Sequence, residues 1–550
     1  MKKSMIMAGL SCILAAVSCM DFLEEDLKSS LAPTNTYTST LGFEVGSAGL
    51  YSIARSEYNT WGEEGAFIHN GACPYEALQI GTDIVVQSGA KDGSLTPFAN
   101  LTMNGSTQFV KTYWTWAYDL INSANELLIF SAQNENWDYP SDKALYEAEA
   151  RFFRAYAYRY LYYLYGDVPY VETIQQPFLL DFTRDPKAEI LQHILDDLQF
   201  ASENLPEDPD AVKVGKLTKW AALHLLSEMQ LVAKDYTGAA RSAEAVINSG
   251  YFSLNKERFG SKENLAKDGN AFSDMFLEGH QNRTSGNKES IWVMQFEYGA
   301  VGGGTNSDDW TRRAWNPQYY NINGFSLSVE YGGRGLAQIA PMKWWIGVKG
   351  TNATPDNPTD GIFNDGDIRN AESSIKREWL YNNPDVSNLY GQKCNITDAT
   401  WNSGQLFPAL TKFFFGVEAN LTLTGDYKDR MKFRLAETYL LLAEAYLGQN
   451  DPQKAADAVN VVRRRAKVTD VQASEMDMDF LLDERIRELV GEEVRRFTLL
   501  RTGKFLDRVR KYNDAQKDII DEHHLLWPIP QTIIDSNRDV EFPQNPGYDN

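Results

Sequence analysis

Cysteine and histidine are scarce in this 550-residue chain: there are four of the first and six of the second. No CxxC pair and no HExxH run occurs, so the spacings that hold structural or catalytic zinc are missing. The histidines are scattered except for His523 and His524. Side chains one residue apart point different ways on a helix or strand, so no metal site is expected there. Positive charge is also short, since 53 Lys and Arg against 75 Asp and Glu leave a net charge of -22 and a pI of about 4.8. Such a chain repels a phosphate backbone, which argues against a nucleic-acid partner. Beyond the N-terminus no run of eighteen apolar residues occurs, so no transmembrane helix is expected. Neither Gly302-Gly303-Gly304 nor Gly332-Gly333 leads into a GK[ST]. A phosphate-binding loop is therefore disfavoured, and no cofactor is expected.

What is present is ordinary globular material rich in rings. Hydrophobic residues make up 43%, charged residues 23% and aromatics 12%. At roughly 150 residues per domain the length allows about three or four domains. Residues 1–18 begin with Lys2 and Lys3 and continue in a short apolar run, the pattern of a signal peptide. The run ends Ala16-Val17-Ser18-Cys19, which resembles a bacterial lipobox and makes Cys19 the expected lipidation site and mature first residue; an ordinary secretory signal is the competing reading. Residues 19–40, acidic and then Ser/Thr/Pro-rich, read as a solvated tether. Cys73 and Cys394 then remain, and export permits a disulfide that spacing alone cannot establish.

Three regions follow the tether: 41–250, helical; 251–430, loop-rich; and 431–550, helical again. Helices are expected over 109–131, 142–166, 186–204, 217–234 and 237–249, then near 435–448, from Pro452 onward, and over 479–499. In 142–166 the rings Phe152, Phe153, Tyr156, Tyr160 and Tyr163 recur at helical spacing, and Gly166 and Pro169 close the run. The helices pair antiparallel through short turns and small Ala contacts. The expected fold is mainly α, a scaffold of degenerate tetratricopeptide-like pairs with a loop-rich ligand-binding subregion inserted.

These segments together resemble one family. The stretch 148–171, AEARFFRAYAYRYLYYLYGDVPYV, is similar to the signature helix of the SusD/RagB outer-membrane lipoproteins of Bacteroidetes. The segments 433–447, 455–467, 484–505 and 526–548 resemble its C-terminal half in order. The resemblance implies a surface protein anchored by lipid on the extracellular side of the outer membrane. It would capture oligo- or polysaccharide without catalysis and deliver it to a SusC-like TonB-dependent transporter. A surface glycoside hydrolase and a peptide-binding adaptor are the alternatives.

A sugar is held by rings stacked on its CH face and by polar side chains at its hydroxyl rim. The segment 306–320 has that composition, with Trp310, Trp315, Tyr319 and Tyr320 as stackers and Arg312 and Asn316 as rim donors. Trp61, Tyr75 and Asp83 form a second candidate group. The competing reading makes these rings pins that fasten loops to the scaffold, and Trp61 a core residue. Trp344 and Trp345 are expected in the core. Asp360, Asn364, Asp365 and Asp367 lie at oxygen-rich spacing near Gly366, but no Glu closes the run, which argues against calcium. Arg485, Arg487, Arg495 and Arg496 with Glu484, Glu488, Glu492 and Glu493 read as a lattice of i,i+3 and i,i+4 ion pairs.

Overall fold

Helix α1, Thr40–Arg55, opens the described chain and packs on α2, Gln108–Gln133, and α3, Asp142–Tyr165. The structure, a computed structural model, describes residues 36–58, 73–174, 181–261, 267–297, 309–347, 361–423 and 425–548. Cys19 and Trp61 lie outside those residues. Four further helices continue the first block and start the last: α4, Lys187–Asn204; α5, Lys219–Val232; α6, Tyr236–Ile247; and α7, Leu435–Gly448. Each packs on its predecessor, and α7 packs next on α8, Pro452–Arg465. The contact between α6 and α7 makes the two helical regions one continuous stack, interrupted in sequence by residues 248–434. The core is therefore built from both ends of the chain.

Local chemistry sets the helix limits. Asp235, Asp451 and Asp477 each cap a helix, accepting from the backbone N–H of Gly238, Lys454 and Phe480 respectively. α3 is buried on nearly every side, and its rings pack on α2 and on one another. The C-terminal segment closes its end, where Trp527 N–H donates to Leu164 O at 2.6 Å and Asn545 Nδ2 donates to Tyr165 O at 3.0 Å.

The expected helix over 479–499 is two helices, α9, Met478–Leu489, and α10, Arg495–Arg501. Gly491 breaks it with φ +75°, and a Cβ there would lie 2.5 Å from the Phe413 ring. Only glycine fits both the backbone and the ring. A last helix, α11, Phe505–Tyr512, follows.

The arginine–glutamate lattice also departs from the expected i,i+3 and i,i+4 pairing. Of the foreseen groups, Arg487–Glu484 keeps the i,i+3 spacing, Arg485 and Arg495 meet at Glu493 eight and two positions away, and the remaining pairs cross the fold in the interior. Arg369 meets Asp367, Glu484 and Glu488. Glu488 also takes Arg434 and Arg465, and Glu289 takes both of these arginines as well. Arg496 turns instead to backbone: its Nη2 donates to the carbonyls of His524 at 2.6 Å and Leu525 at 3.1 Å. Asp367, from the calcium-like run, is thus committed to Arg369 with both groups fully buried. Burial alone would raise the Glu484 carboxyl, but Arg369, Arg487 and Arg463 outweigh it and hold it at about 2. Asp83 is held at about 2 in the same way by Arg495 and Arg508.

Carboxylates with depressed folded-state values stabilise the fold above their unfolded pKa, and that stability is lost as pH falls toward the folded value. The melting temperature is therefore expected to hold from pH 7 to about 4.5 and to fall steeply between about 4.5 and 2. A scanning-fluorimetry series in buffers of matched ionic strength checks this, and a melting temperature flat to pH 3 contradicts it.

The inserted region carries short strands. Ser290–Met294 pairs antiparallel with Arg430–Arg434, and Val85–Gln87 with Ile339–Pro341. A second small core, around Tyr319, Phe325, Tyr331, Trp379 and Leu406, lies within this region. Cys73 and Cys394 are buried free thiols in different cores. Trp345 is fully buried as expected, whereas Trp344 is half-buried and stacks on Tyr512 at 3.7 Å.

Candidate functional site

The expected ring platform at 310–320 faces inward. Trp310 is 7% exposed, lies under the Arg313 guanidinium at 4.4 Å, and donates its backbone N–H to Tyr58 O. Trp315 stacks on Phe413 at 4.9 Å and 16°. Arg312 spends its donors on carbonyls: Nη1 on Gly332 and Arg334, Nη2 on Leu423 and Gly425. Asn316 Nδ2 donates to Gly332 O and Phe413 O. Tyr319 is fully buried, and its hydroxyl accepts from Ser328 N–H at 2.9 Å.

The second group behaves likewise. The Tyr75 hydroxyl donates to Glu492 O at 2.9 Å, and Asp83 receives Arg495 and Arg508 at 2.8 to 2.9 Å. These seven residues are therefore pins between loops and frame. Charged groups such as Arg312 and Asp83 are tolerated inside because backbone carbonyls and opposite charges meet them. Of the expected site residues within the described chain, Tyr320 alone keeps partial exposure, with its hydroxyl on Gly335 O at 2.8 Å.

One cluster of titratable groups has an enzyme-like profile. Burial pushes Asp426 up to about 7 and Lys428 down to about 8, beside Asp309 and Arg430. The cavity they line holds about 40 Å³, enough for a water or two and too small for a sugar ring.

Rings that do reach solvent sit on the far side of the second core. Trp379–Leu380 pairs with Lys393–Cys394 as a two-stranded hairpin. At its mouth Tyr381 N–H donates to Gln392 O and Gly391 N–H donates to Tyr381 O, both at 2.9 Å. The half-buried Tyr381 ring packs on Phe325 at 4.9 Å and presses on Gly324, where a Cβ would lie 2.6 Å from it. Asn382 clamps Ser326 from both sides, accepting from its N–H at 2.8 Å and donating to its carbonyl at 3.0 Å. Tyr331 ties in below by donating to Leu380 O at 2.7 Å. Tyr390 is 57% exposed, with Asn388 and Gln392 exposed beside it on the same turn, and Asn321 is exposed next to Tyr320. Tyr320 and Tyr381 thus pack against the second core, and Tyr390 stands exposed next to Gly391, whose N–H donates to Tyr381 O.

Two family models match the chain. One, described as the SusD family, covers residues 288–548; the other, described as starch-binding and associating with the outer membrane, covers 71–231. The chain belongs to the SusD/RagB family. Among SusD-like relatives, protein P25 of Formosa agariphila is 25% identical over 98% of this chain and 97% of its own. The starch-binding protein SusD of Bacteroides thetaiotaomicron is 24% identical over 86% and 85%. A solved SusD homolog from Bacteroides thetaiotaomicron superposes with a TM-score of 0.71 at 19% identity, covering 95% of this chain and 100% of its own. Surface glycan-binding protein A of the same organism, solved with laminarihexaose, gives 0.69 at 18% over 92% and 98%. These structures share the mainly α SusD fold.

Within that fold, sequence reasoning passed over Tyr381 and Tyr390. The segment Tyr381-Asn382-Asn383-Pro384 and the later Tyr390-Gly391-Gln392 carry the same ring-and-amide signal that drew notice to 306–320. A Pro-containing turn with several Asn is also a better candidate for an exposed loop than a run holding two arginines.

Proposed function

We propose that this protein is a non-catalytic glycan-capture lipoprotein, anchored through Cys19 to the outer membrane and facing outward. It takes oligo- or polysaccharide onto the ledge of Tyr320, Tyr381 and Tyr390 and hands it to a SusC-like TonB-dependent transporter. The observation that carries the site is the rigid hairpin mouth. The half-buried rings of Tyr320 and Tyr381, held by packing, lose little freedom when a sugar stacks on them; Tyr390 offers a further, exposed ring, and the neighbouring amides can meet the hydroxyls. The lipobox-like start, the outer-membrane description of one family model and the glycan-binding relatives support the setting.

The test is affinity electrophoresis and calorimetry against a polysaccharide panel that includes starch and laminarin. Loss of one stacked ring costs about 1–3 kcal/mol by analogy with base stacking. Tyr390→Ala should weaken binding about fivefold or more, and Tyr381→Ala with Tyr390→Ala about a hundredfold, with the melting temperature of Tyr390→Ala unchanged. Unaltered affinity in the double variant would refute the ledge. Release of reducing sugar by the wild-type protein would favour a hydrolase.

A further inference from the structure

The adjacent histidines near the C-terminus do not diverge as their spacing suggests. Asp521 caps a single 3-10 turn, Glu522–Leu525, and accepts from His523 N–H at 3.0 Å. That tight turn brings both imidazoles onto one carboxylate. His523 Nδ1 contacts Asp521 Oδ1, and His524 Nδ1 lies 3.3 Å from the same oxygen. The ring centroids of the two histidines are 3.7 Å apart, and the three ligating atoms all fall within 4.8 Å of one another.

The trio is also held in place. His524 Nδ1 accepts from Asp521 N–H at 3.2 Å, the bond that closes the capping box and fixes the ring; a metal on that nitrogen takes the place of this hydrogen bond. His523 is wedged edge-on against Tyr548 at 5.1 Å, and Gly547, at φ +88°, leaves room for it: a Cβ there would stand 2.5 Å from the His523 Cβ. His524 is buried, His523 is 28% exposed and Asp521 is 58% exposed. One side of the cluster therefore opens outward. His523, of the three, also lines a cavity of about 790 Å³, together with Glu522, Tyr162, Arg510 and Asn545. Arg496 stands behind, donating to the His524 carbonyl. Its positive charge opposes a cation, and the Asp521 carboxylate offsets it.

We infer that Asp521, His523 and His524 form a binding site for a first-row transition-metal dication such as Zn²⁺ or Cu²⁺, with a remaining coordination position on the outward side. Two imidazoles and one carboxylate suit these metals, and three protein ligands leave a fourth position for water or a ligand oxygen. The required shift is small, because a dication at about 2.1 Å from each donor separates donors by about 3.4 Å. A hard ion such as Ca²⁺ prefers six to eight oxygens and is not expected to compete.

The test uses the mature chain freed of any affinity tag and stripped with chelator, titrated calorimetrically with ZnCl₂ and separately with CaCl₂. One equivalent of Zn²⁺ should bind with a Kd in the micromolar range, and Ca²⁺ should not bind. His523→Ala and Asp521→Asn should each weaken Zn²⁺ at least tenfold, with melting temperatures unchanged in the absence of metal. With one equivalent of Cu²⁺, the paramagnetic spectrum should show coupling to two imidazole nitrogens in the wild type and to one in His523→Ala. Absence of saturable Zn²⁺ binding, or equal affinity in wild type and His523→Ala, would overturn the site. These readouts do not depend on glycan, so they stand or fall apart from the tyrosine ledge.

Discussion

Replacing Glu488 by Ala should lower stability by about 3–5 kcal/mol, the cost of removing one partner from a buried ionic cluster. The carboxylate is fully buried and joins three guanidinium groups: Arg369 at 3.1 Å, Arg434 at 2.6 Å, and Arg465. Burial alone would raise its pKa. The charges of Arg465, Arg434 and Arg369 reverse this and hold it well below the usual carboxylate range. Without it, Glu484 still meets Arg369, and Glu289 still meets Arg434 and Arg465, but the like charges are no longer balanced at the centre. With an unfolding entropy of about 2 cal/mol/K per residue, the melting temperature should fall by about 3–5 °C. Glu488→Gln, which keeps the shape and part of the hydrogen bonding, should fall less. A melting temperature for Glu488→Ala within 1 °C of wild type would show that the cluster contributes nothing.

Trp315→Ala should cost a similar amount, about 3–5 kcal/mol, because it opens a cavity against Phe413 and Gly491. The same substitution separates the two meanings a tryptophan in a loop can have. A ligand-stacking ring can be removed with little loss of stability but large loss of affinity. A pin does the reverse. Trp315 is 2% exposed, so the expected result is a depressed melting temperature with glycan affinity retained in the folded fraction. A stable variant that no longer binds would return Trp315 to the ligand.

The helical frame was legible because its signal is local. Phe152, Tyr156, Tyr160 and Tyr163 repeat at helical spacing, and Asp235, Asp451 and Gly166 mark ends whose chemistry involves residues only a few positions away. The site was not, because its burial is decided at long range. Arg312 is sealed by carbonyls of residues 332, 334, 423 and 425, and nothing near Arg312 in sequence announces them. Composition identified a loop rich in rings and amides, but could not say which of two such loops keeps its rings outside. The expected divergence of the His523 and His524 rings failed for the opposite reason: a strictly local device, the Asp521 cap, tightens the turn beyond the geometry of a helix or strand.

The pairing of Asp83 with Arg495 spans 412 positions. Contact order of that kind makes folding wait for the last part of the chain to arrive. A polypeptide delivered N-terminus first holds an uncompensated carboxylate in its interior until α10 and α11 dock. The stretch from Arg495 onward therefore acts as a completion check: a product truncated before Arg495 is expected to remain open to proteolysis however well its first helices form.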